Sequence, residues 1–164
     1  KFEHANINTI PRISQLTQKT NQFNLASQRY SEEHIAQLST SDDHYVLTIS
    51  LKDKFGDNGL TGVAIIEKKE DELYWQIDNF LLSCRILGRG AEDALLAYAL
   101  TEARSAGMTK VTGQFIATEK NMPARDFYKN SGFIKTGEAG GIENWELSLE
   151  TEINFPNFIQ CETL

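Results

Sequence analysis

A change of sequence period between residues 73 and 103 restricts the possible folds of this chain more than any other feature. Residues 73–82 alternate in the manner of a β-strand, and residues 91–103 place their apolar side chains on one face of a helix. A turn containing Gly88 and Gly90 separates the two segments. Because another strand is predicted over residues 110–117, this unit is a crossover between parallel strands.

The other patterns extend this unit in both directions. Helices are predicted over residues 11–20, from an N-cap at Ser31, and from an Asn121 cap through Lys129; strands are predicted over residues 23–30, 45–51, 60–67, 133–135 and 143–149. Residues 56–59 (Gly-Asp-Asn-Gly) predict a turn in an antiparallel meander. The expected fold is α/β with a mixed, mostly antiparallel sheet and helices on both faces. Residues 1–22 are predicted to be a helical lead-in from an upstream domain, residues 23–150 the domain itself, and residues 151–164 a loosely attached tail.

Composition excludes several classes of protein. The net charge of −7 repels phosphate backbones, so nucleic acid is not an expected partner. The two cysteines and three histidines show no metal-ligand spacing, and no apolar run reaches the roughly 20 residues of a membrane span. We therefore expect a cytoplasmic protein without a metal, in keeping with a reducing compartment.

The glycine turn has the chemistry of an anion site. The first N–H groups of a helix lack intrahelical partners, and Gly88 and Gly90 carry no Cβ that would hinder a phosphate. Arg85 and Arg89 add positive charge at the rim. A plain strand-to-helix turn would use the same glycines, so this feature needs further support.

That support comes from a family resemblance. The Arg-x-x-Gly-x-Gly spacing of residues 85–90 resembles the acyl-CoA-binding motif of the GNAT N-acetyltransferase superfamily. The resemblance implies an acetyl-CoA, other acyl-CoA or phosphopantetheine thioester as substrate, with its pyrophosphate at the turn and its pantetheine arm along a splayed strand. It assigns binding to Phe80, Leu81, Leu82, Arg85, Gly88, Arg89, Gly90, Ala91 and Asn121.

A second motif lies downstream. Residues 121–133 (NMPARDFYKNSGF) are similar to the superfamily signature Asn-x-x-Ala-x-x-Phe-Tyr-x-x-x-Gly-Phe. The resemblance implies that Tyr128 is the general acid for the departing thiolate, a role suited to a phenol that is protonated at neutral pH. Phe127 and Phe133 are interpreted as core residues.

A narrower resemblance covers nearly the whole chain. Residues 12–25 (RISQLTQKTNQFNL) and 77–85 (IDNFLLSCR) are similar to the C-terminal region of FkbH-like proteins, which join a haloacid-dehalogenase-type domain to a GNAT-like domain. This resemblance implies an upstream domain of that type and an acyl carrier protein as partners. The nucleophile motif of the haloacid-dehalogenase domain, Asp-x-Asp followed by Thr or Val, does not occur in the sequence.

Two further residues are candidates for chemistry. Cys84 precedes the positive end of a helix, which favours a thiolate that could relay an acyl group, although a buried structural cysteine is an alternative. Asp78 lies on the strand before the turn and is the best-placed general base, although a structural carboxylate is at least as consistent with the pattern. The sequence predicts an acyltransferase; the alternative is a non-catalytic module that docks an acyl carrier protein.

Overall fold

The computed structural model describes residues 1–54 and 56–162 of the chain. In chain order its helices and strands are β1 (Phe2–His4), α1 (Ile10–Lys19), α2 (Glu32–Thr40), β2 (His44–Asp53), β3 (Gly56–Lys69), β4 (Tyr74–Leu82), α3 (Ala91–Ser105), β5 (Lys110–Ile116), α4 (Phe127–Asn130), β6 (Ile134–Ala139) and β7 (Ile142–Ser148). Among the described residues, the strands form one seven-stranded sheet in the order β1-β2-β3-β4-β5-β7-β6. Strands β4 and β5 are parallel, whereas the other neighbouring pairs are antiparallel.

Apolar side chains cover both faces of this sheet. Ile13 of α1 and Ile35 of α2 pack with Val63 and Ile65 of β3 on one face. On the opposite face, buried side chains of α3 and α4 pack with alternate residues of the same strands. The predicted mixed sheet with helices on both faces is therefore confirmed.

Two helix ends lie where the capping residues of the sequence predict them. The hydroxyl oxygen of Ser31 accepts a hydrogen bond from the His34 N–H at 3.1 Å, which caps α2. Helix α3 ends before Gly107, whose φ of 81° closes the last turn with a hydrogen bond to the Arg104 carbonyl oxygen. Both ends satisfy backbone groups that the helix itself leaves without partners.

A β-bulge at Asp78 directly follows the last residue of β4 that pairs with β5. The register pairs Ile65 with Asn79 but Ile66 with Ile77, which leaves Asp78 as the extra residue of β4. A bulge bends its strand and increases its twist. The parallel pairing of β4 with β5 ends at Ile77 and Gly113, and beyond that pair the two strands diverge into a fork.

The strand predicted over residues 23–30 is wrong in extent. The segment forms one isolated antiparallel bridge, between Asn24 and Leu81, and Ser27 adopts a φ of 55°. A strand-like pattern over eight residues of sequence does not specify which strand the segment would pair with. Tertiary contacts place the segment inside the fork.

Three other local predictions differ from the structure. Residues 56–59 are not a turn but the start of β3, where Gly56 pairs with Asp53 and Asp57 pairs with Lys52. The helix predicted from Asn121 through Lys129 is a 3₁₀ turn followed by the short α4, and the Asn121 side chain does not cap it. The predicted lead-in also contains β1, an edge strand that the sequence pattern did not reveal.

Both chain ends contact the domain. The side chain of Phe2 is 1% exposed and stacks on Tyr98, with ring centroids 4.5 Å apart. The Phe2 N–H donates a hydrogen bond of 2.8 Å to the carbonyl oxygen of Glu162. Residues 163 and 164 of the predicted tail lie outside the described residues.

Candidate acyl-transfer site

The glycine turn enters α3 with two residues in the left-handed region. Gly88 has a φ of 73° and Gly90 a φ of 76°, conformations that L side chains rarely adopt. The Gly88 N–H donates a hydrogen bond of 3.2 Å to the Glu92 carboxylate, and Ala91 begins the helix as a buried residue. The turn therefore has the backbone geometry of an anion nest, and the Glu92 carboxylate bonds one of its N–H groups.

The charges around the turn are balanced. Arg85 and Arg89 are exposed, and the Arg89 guanidinium forms an ion pair with the Asp53 carboxylate. The second carboxylate oxygen of Glu92 is buried without a hydrogen-bond partner, and burial raises the pKa of Asp93. Acidic side chains therefore already bond two groups of the turn: the Glu92 carboxylate accepts the Gly88 N–H, and the Asp53 carboxylate pairs with Arg89.

Cys84 opens the 3₁₀ turn that joins β4 to the glycine turn. Its side chain is exposed, so the alternative of a buried structural cysteine is wrong. The neighbouring Arg85 donates a long hydrogen bond of 3.5 Å to the Ser83 hydroxyl. Cys84 is therefore an accessible thiol four residues before Gly88 in the sequence.

The edge of β4 that faces the fork is occupied by the chain itself. Phe80, Leu81 and Leu82 are fully buried. The Leu25 N–H donates a hydrogen bond of 3.0 Å to the carbonyl oxygen of Phe80. The Leu82 N–H donates one of the same length to the carbonyl oxygen of Phe23. On the other side of the fork, the Ile116 N–H donates to the Leu25 carbonyl at 2.9 Å. Residues 23–25 thus bridge the two diverging strands.

Two buried asparagines, Asn79 and Asn121, hold the fork segment, which is defined as residues 23–28. The Asn121 amide donates hydrogen bonds of 2.9 Å to the carbonyl oxygens of Asn24 and Ile116. The Asn79 side chain accepts from the Ala26 N–H at 3.3 Å and donates to the Gln28 carbonyl oxygen at the same distance. Buried side-chain hydrogen bonds of this kind fix a segment because breaking them leaves polar groups without partners.

The hydroxyl of Tyr128 lies at the branch point of the fork. Tyr128 is 1% exposed, and its hydroxyl has no hydrogen-bond partner within the structure. A Cβ built on Gly113, the last β5 residue paired with β4, would lie 2.3 Å from that hydroxyl. Burial first, and then the charge of Asp78, raises the pKa of Tyr128, so the phenol is protonated at neutral pH.

Asp78 occupies the bulge on the other side of the branch point. Its carboxylate accepts a hydrogen bond of 3.1 Å from the Gln76 amide. Burial raises the pKa of Asp78, while the Gln76 hydrogen bond acts in the opposite direction. Its charge also contributes, after burial, to the raised pKa of Tyr30, so Asp78 lies within electrostatic range of two phenols.

A polar cavity of about 320 Å³ opens across β4, β5 and β7. Gln76, Thr112, Gln114 and Asn144 line it, with the backbone of Gly113 at its wall. Sequence reasoning did not single out Gly113, although a glycine in the middle of a predicted strand is a signal of close approach. It also did not single out Asn79, whose role depends on a partner 53 residues away in sequence.

The sequence model of the Acetyltransferase (GNAT) family matches residues 10–133, and this match includes the glycine turn, the fork and Tyr128. The chain belongs to the GNAT acetyltransferase family. In this GNAT domain, the fork between β4 and β5 and the turn before α3 both lie within the matched residues. No curated protein matches the sequence significantly.

Solved structures of other acetyltransferases share the fold of this GNAT domain. A putative GNAT-family acetyltransferase from Desulfovibrio desulfuricans superimposes with a TM-score of 0.68 and 14% identity, over 91% of this chain and 98% of its own. The ribosomal-protein-S18-alanine N-acetyltransferase of Escherichia coli has a TM-score of 0.67 and 14% identity, covering 98% of this chain and 99% of its own. The spermidine/spermine N-acetyltransferase of Vibrio cholerae, solved with manganese ions, has a TM-score of 0.65 and 14% identity, with 92% of both chains covered.

Metal-binding clusters and membrane-spanning helices are both absent from the described residues. Within residues 1–54 and 56–162, no group of three or more His, Cys, Asp or Glu side chains is arranged to hold a metal ion. The helices of the same residues include none with the length and apolar character needed to cross a membrane.

Proposed function

We propose that this GNAT domain transfers an acyl group from a CoA-type thioester to an acceptor amine. The observation that carries the proposal is the buried, unpartnered hydroxyl of Tyr128 at the branch point between β4 and β5. A buried hydroxyl without a partner costs free energy, roughly 1–3 kcal/mol, unless a ligand completes it. A thiolate leaving group would accept its proton.

The proposed reaction uses two protein groups. The amine nitrogen attacks the thioester carbonyl carbon, and the bond between that carbon and sulfur breaks. Tyr128 donates a proton to the departing sulfur, and Asp78 accepts one from the amine, so the protons balance. Burial raises the pKa of Asp78, which brings the carboxylate closer to the range in which a general base works at neutral pH.

The thioester arm must compete with residues of the chain. Gly88, Gly90 and the first N–H groups of α3 fit a pyrophosphate, and Asn121 lies beside the fork. The hydrogen-bonding edge of β4, however, is paired with Phe23 and Leu25. The glycine turn therefore suits the pyrophosphate of the thioester. Binding of the pantetheine arm, by contrast, requires the fork segment to leave the edge of β4.

This occupied edge favours a second candidate function. A GNAT-like module whose fork is filled by its own backbone would not need to catalyse acyl transfer. It would dock an acyl carrier protein while an upstream haloacid-dehalogenase-type domain supplies the acyl group, as in FkbH-like proteins. In that setting Cys84 is a proposed acyl relay, because it is exposed beside the turn.

The first experiment tests the glycine turn with a matched pair of variants. Gly88 has a positive φ and nothing within 4 Å of its missing Cβ, and both Asn and Asp tolerate that conformation. Gly88→Asp should weaken acetyl-CoA binding in calorimetry by about tenfold more than Gly88→Asn, because only Asp adds a negative charge. Equal affinities for the two variants would mean that no phosphate binds at the turn.

A second experiment separates the two candidate functions by amide hydrogen exchange. If the arm replaces the fork segment, saturation with acetyl-CoA should speed exchange at Leu25, which loses its bond to Phe80. The Leu82 amide should stay protected because a carbonyl of the arm replaces that of Phe23. Unchanged exchange at both amides, together with binding of an acyl carrier protein, would favour the docking module.

The proposed relay has its own control. Intact-mass analysis after incubation with an acyl donor should show an adduct that Cys84→Ser abolishes and Cys161→Ser retains. Both thiols are exposed, so accessibility alone cannot explain a difference between the two variants. An adduct on neither cysteine would remove the relay.

A further inference from the structure

The C-terminal strap, defined as residues 152–162, lies across the entrance of α3. After Leu149 the chain is fixed at the far end of α3, where the Arg104 guanidinium donates to the carbonyl oxygens of Leu149 and Thr151. It then runs back to the sheet edge, where Glu162 accepts the hydrogen bond from the Phe2 N–H. Between these two points the strap passes over the glycine turn.

Phe158 is the residue of the strap that covers the turn. A Cβ built on Gly90 would lie 2.8 Å from Cζ and 2.9 Å from Cε2 of the Phe158 ring, and 3.4 Å from Cδ1 of Ile159. Gly90 is buried as a result, although it stands at the open end of a helix. Gly88, two residues earlier, has nothing within 4 Å of the same position and is exposed.

In the described part of the chain, the strap is held by two backbone hydrogen bonds and by contacts of the Ile153, Phe155 and Ile159 side chains with the domain. Residues 152–162 contain no helix or strand. Among the described residues, their backbone hydrogen bonds are that of the Phe2 N–H to the Glu162 carbonyl oxygen and that of the Ile159 N–H to the Pro156 carbonyl oxygen. Phe158 is 72% exposed, so its ring contacts the turn on one side and solvent on the other. Residues 158–162 also form the roof of a cavity of about 680 Å³ rather than a packed layer. Segments with few buried contacts and few hydrogen bonds open at low free energy.

We propose that the strap is an autoinhibitory lid over the glycine turn: the phosphate-bearing part of an acyl-CoA reaches the first N–H groups of α3 only when Phe158 leaves Gly90. This inference rests on the proposed thioester-binding function. The lid raises the apparent Kd for the thioester, which equals the Kd of the open state divided by the fraction of molecules in which the lid is open. Anything that binds the displaced strap would therefore activate the domain.

Calorimetric titration of the full chain with acetyl-CoA tests the lid. Phe158→Ala should lower the Kd by about threefold or more, because truncating the ring shifts the strap towards its open state. Ile134→Ala is the matched control: Ile134 has the same 72% exposure but lies on β6, and its variant should bind with the wild-type Kd. Thermal unfolding of both variants checks that folding is intact.

Hydrogen exchange supplies a readout that does not depend on the variants. In the wild-type chain, saturating acetyl-CoA should speed exchange in residues 152–162 while residues 60–67 of β3 stay protected. Equal Kd values for Phe158→Ala and wild type, or unchanged exchange in the strap at saturation, would overturn the lid and leave the thioester site standing. A failure of all three proteins to bind acetyl-CoA would overturn both the lid and the proposed function.

Discussion

The phenol of Tyr128 lies where the side chain of Gly113 would begin. The Tyr128 hydroxyl, Cζ and Cε1 atoms lie 2.3, 2.5 and 2.8 Å from an ideal Cβ on Gly113. Only glycine at this position of β5 lets the ring reach the branch point of the fork. This contact places an ionisable group of α4 against the last residue that pairs β5 with β4.

We expect Gly113→Ala to destabilise the domain by about 1–3 kcal/mol, because the added methyl group requires Tyr128 or β5 to shift. Urea denaturation measures this change. Gly137→Ala on β6 is the control, since its Cβ would meet only the Asn144 amide nitrogen at 3.9 Å. Equal stabilities of the two variants would show that the contact relaxes without strain.

Tyr128→Phe should separate stability from activity. The substitution removes a buried hydroxyl that has no partner, so the free energy of unfolding should stay the same or rise by up to about 1 kcal/mol. Loss of a general acid should lower turnover by about a hundredfold without weakening acetyl-CoA binding. Tyr98→Phe on α3 is the matched control and should retain turnover. A Tyr128→Phe variant with wild-type turnover would assign the proton to another donor.

Glu92→Gln should strengthen thioester binding. The Glu92 carboxylate accepts the Gly88 N–H and has its second oxygen buried without a partner, so it competes with a phosphate for the turn. Removing this charge should lower the Kd for acetyl-CoA by about fivefold at low salt. Glu102→Gln, on the last turns of the same helix, should leave it unchanged. An unaltered Kd for Glu92→Gln would mean that the phosphate lies elsewhere.

Asp78→Asn should show a pH-dependent change in stability. Because burial raises the pKa of Asp78 in the folded state, its proton is bound more tightly there than in the unfolded chain. That contribution to stability is present below the unfolded carboxyl pKa and is lost as the pH rises through the folded value. The variant should therefore be more stable than wild type at neutral pH and lose this advantage in acid.

Urea denaturation of Asp78→Asn at neutral and at acidic pH measures the effect, with Asp71→Asn on an exposed turn as the control. If Asp78 is also the base, kcat/KM of the wild-type domain should rise with pH through a carboxyl pKa above its usual range, and Asp78→Asn should lose that limb. A stability difference that does not change with pH would contradict the role of burial.

The sequence by itself determined the elements whose signals are local. The period of residues 73–82 and 91–103, the Ser31 cap and the stop at Gly107 each depend on neighbours within a few residues, and the structure has all of them. The crossover they form restricts the sheet to a mixed arrangement, so the fold class followed from pattern alone. Glycines at turn positions that need a positive φ, such as Gly88, can likewise be predicted from the local sequence.

Only the tertiary structure decided how distant segments meet. Asn121 is predicted to cap a helix because asparagine is a common N-cap residue. Its side-chain amide instead donates a hydrogen bond to the carbonyl oxygen of Asn24, 97 residues away in sequence. The pattern of residues 23–30 predicts a strand, but residues 23–25 instead bond the two strands that diverge after Ile77 and Gly113. The strap reaches Gly90 across a helix, and nothing in the composition of residues 152–162 encodes that path. The physical reason is that periodicity reports which face of an element is buried, whereas the identity of the partner depends on the packing of the whole domain.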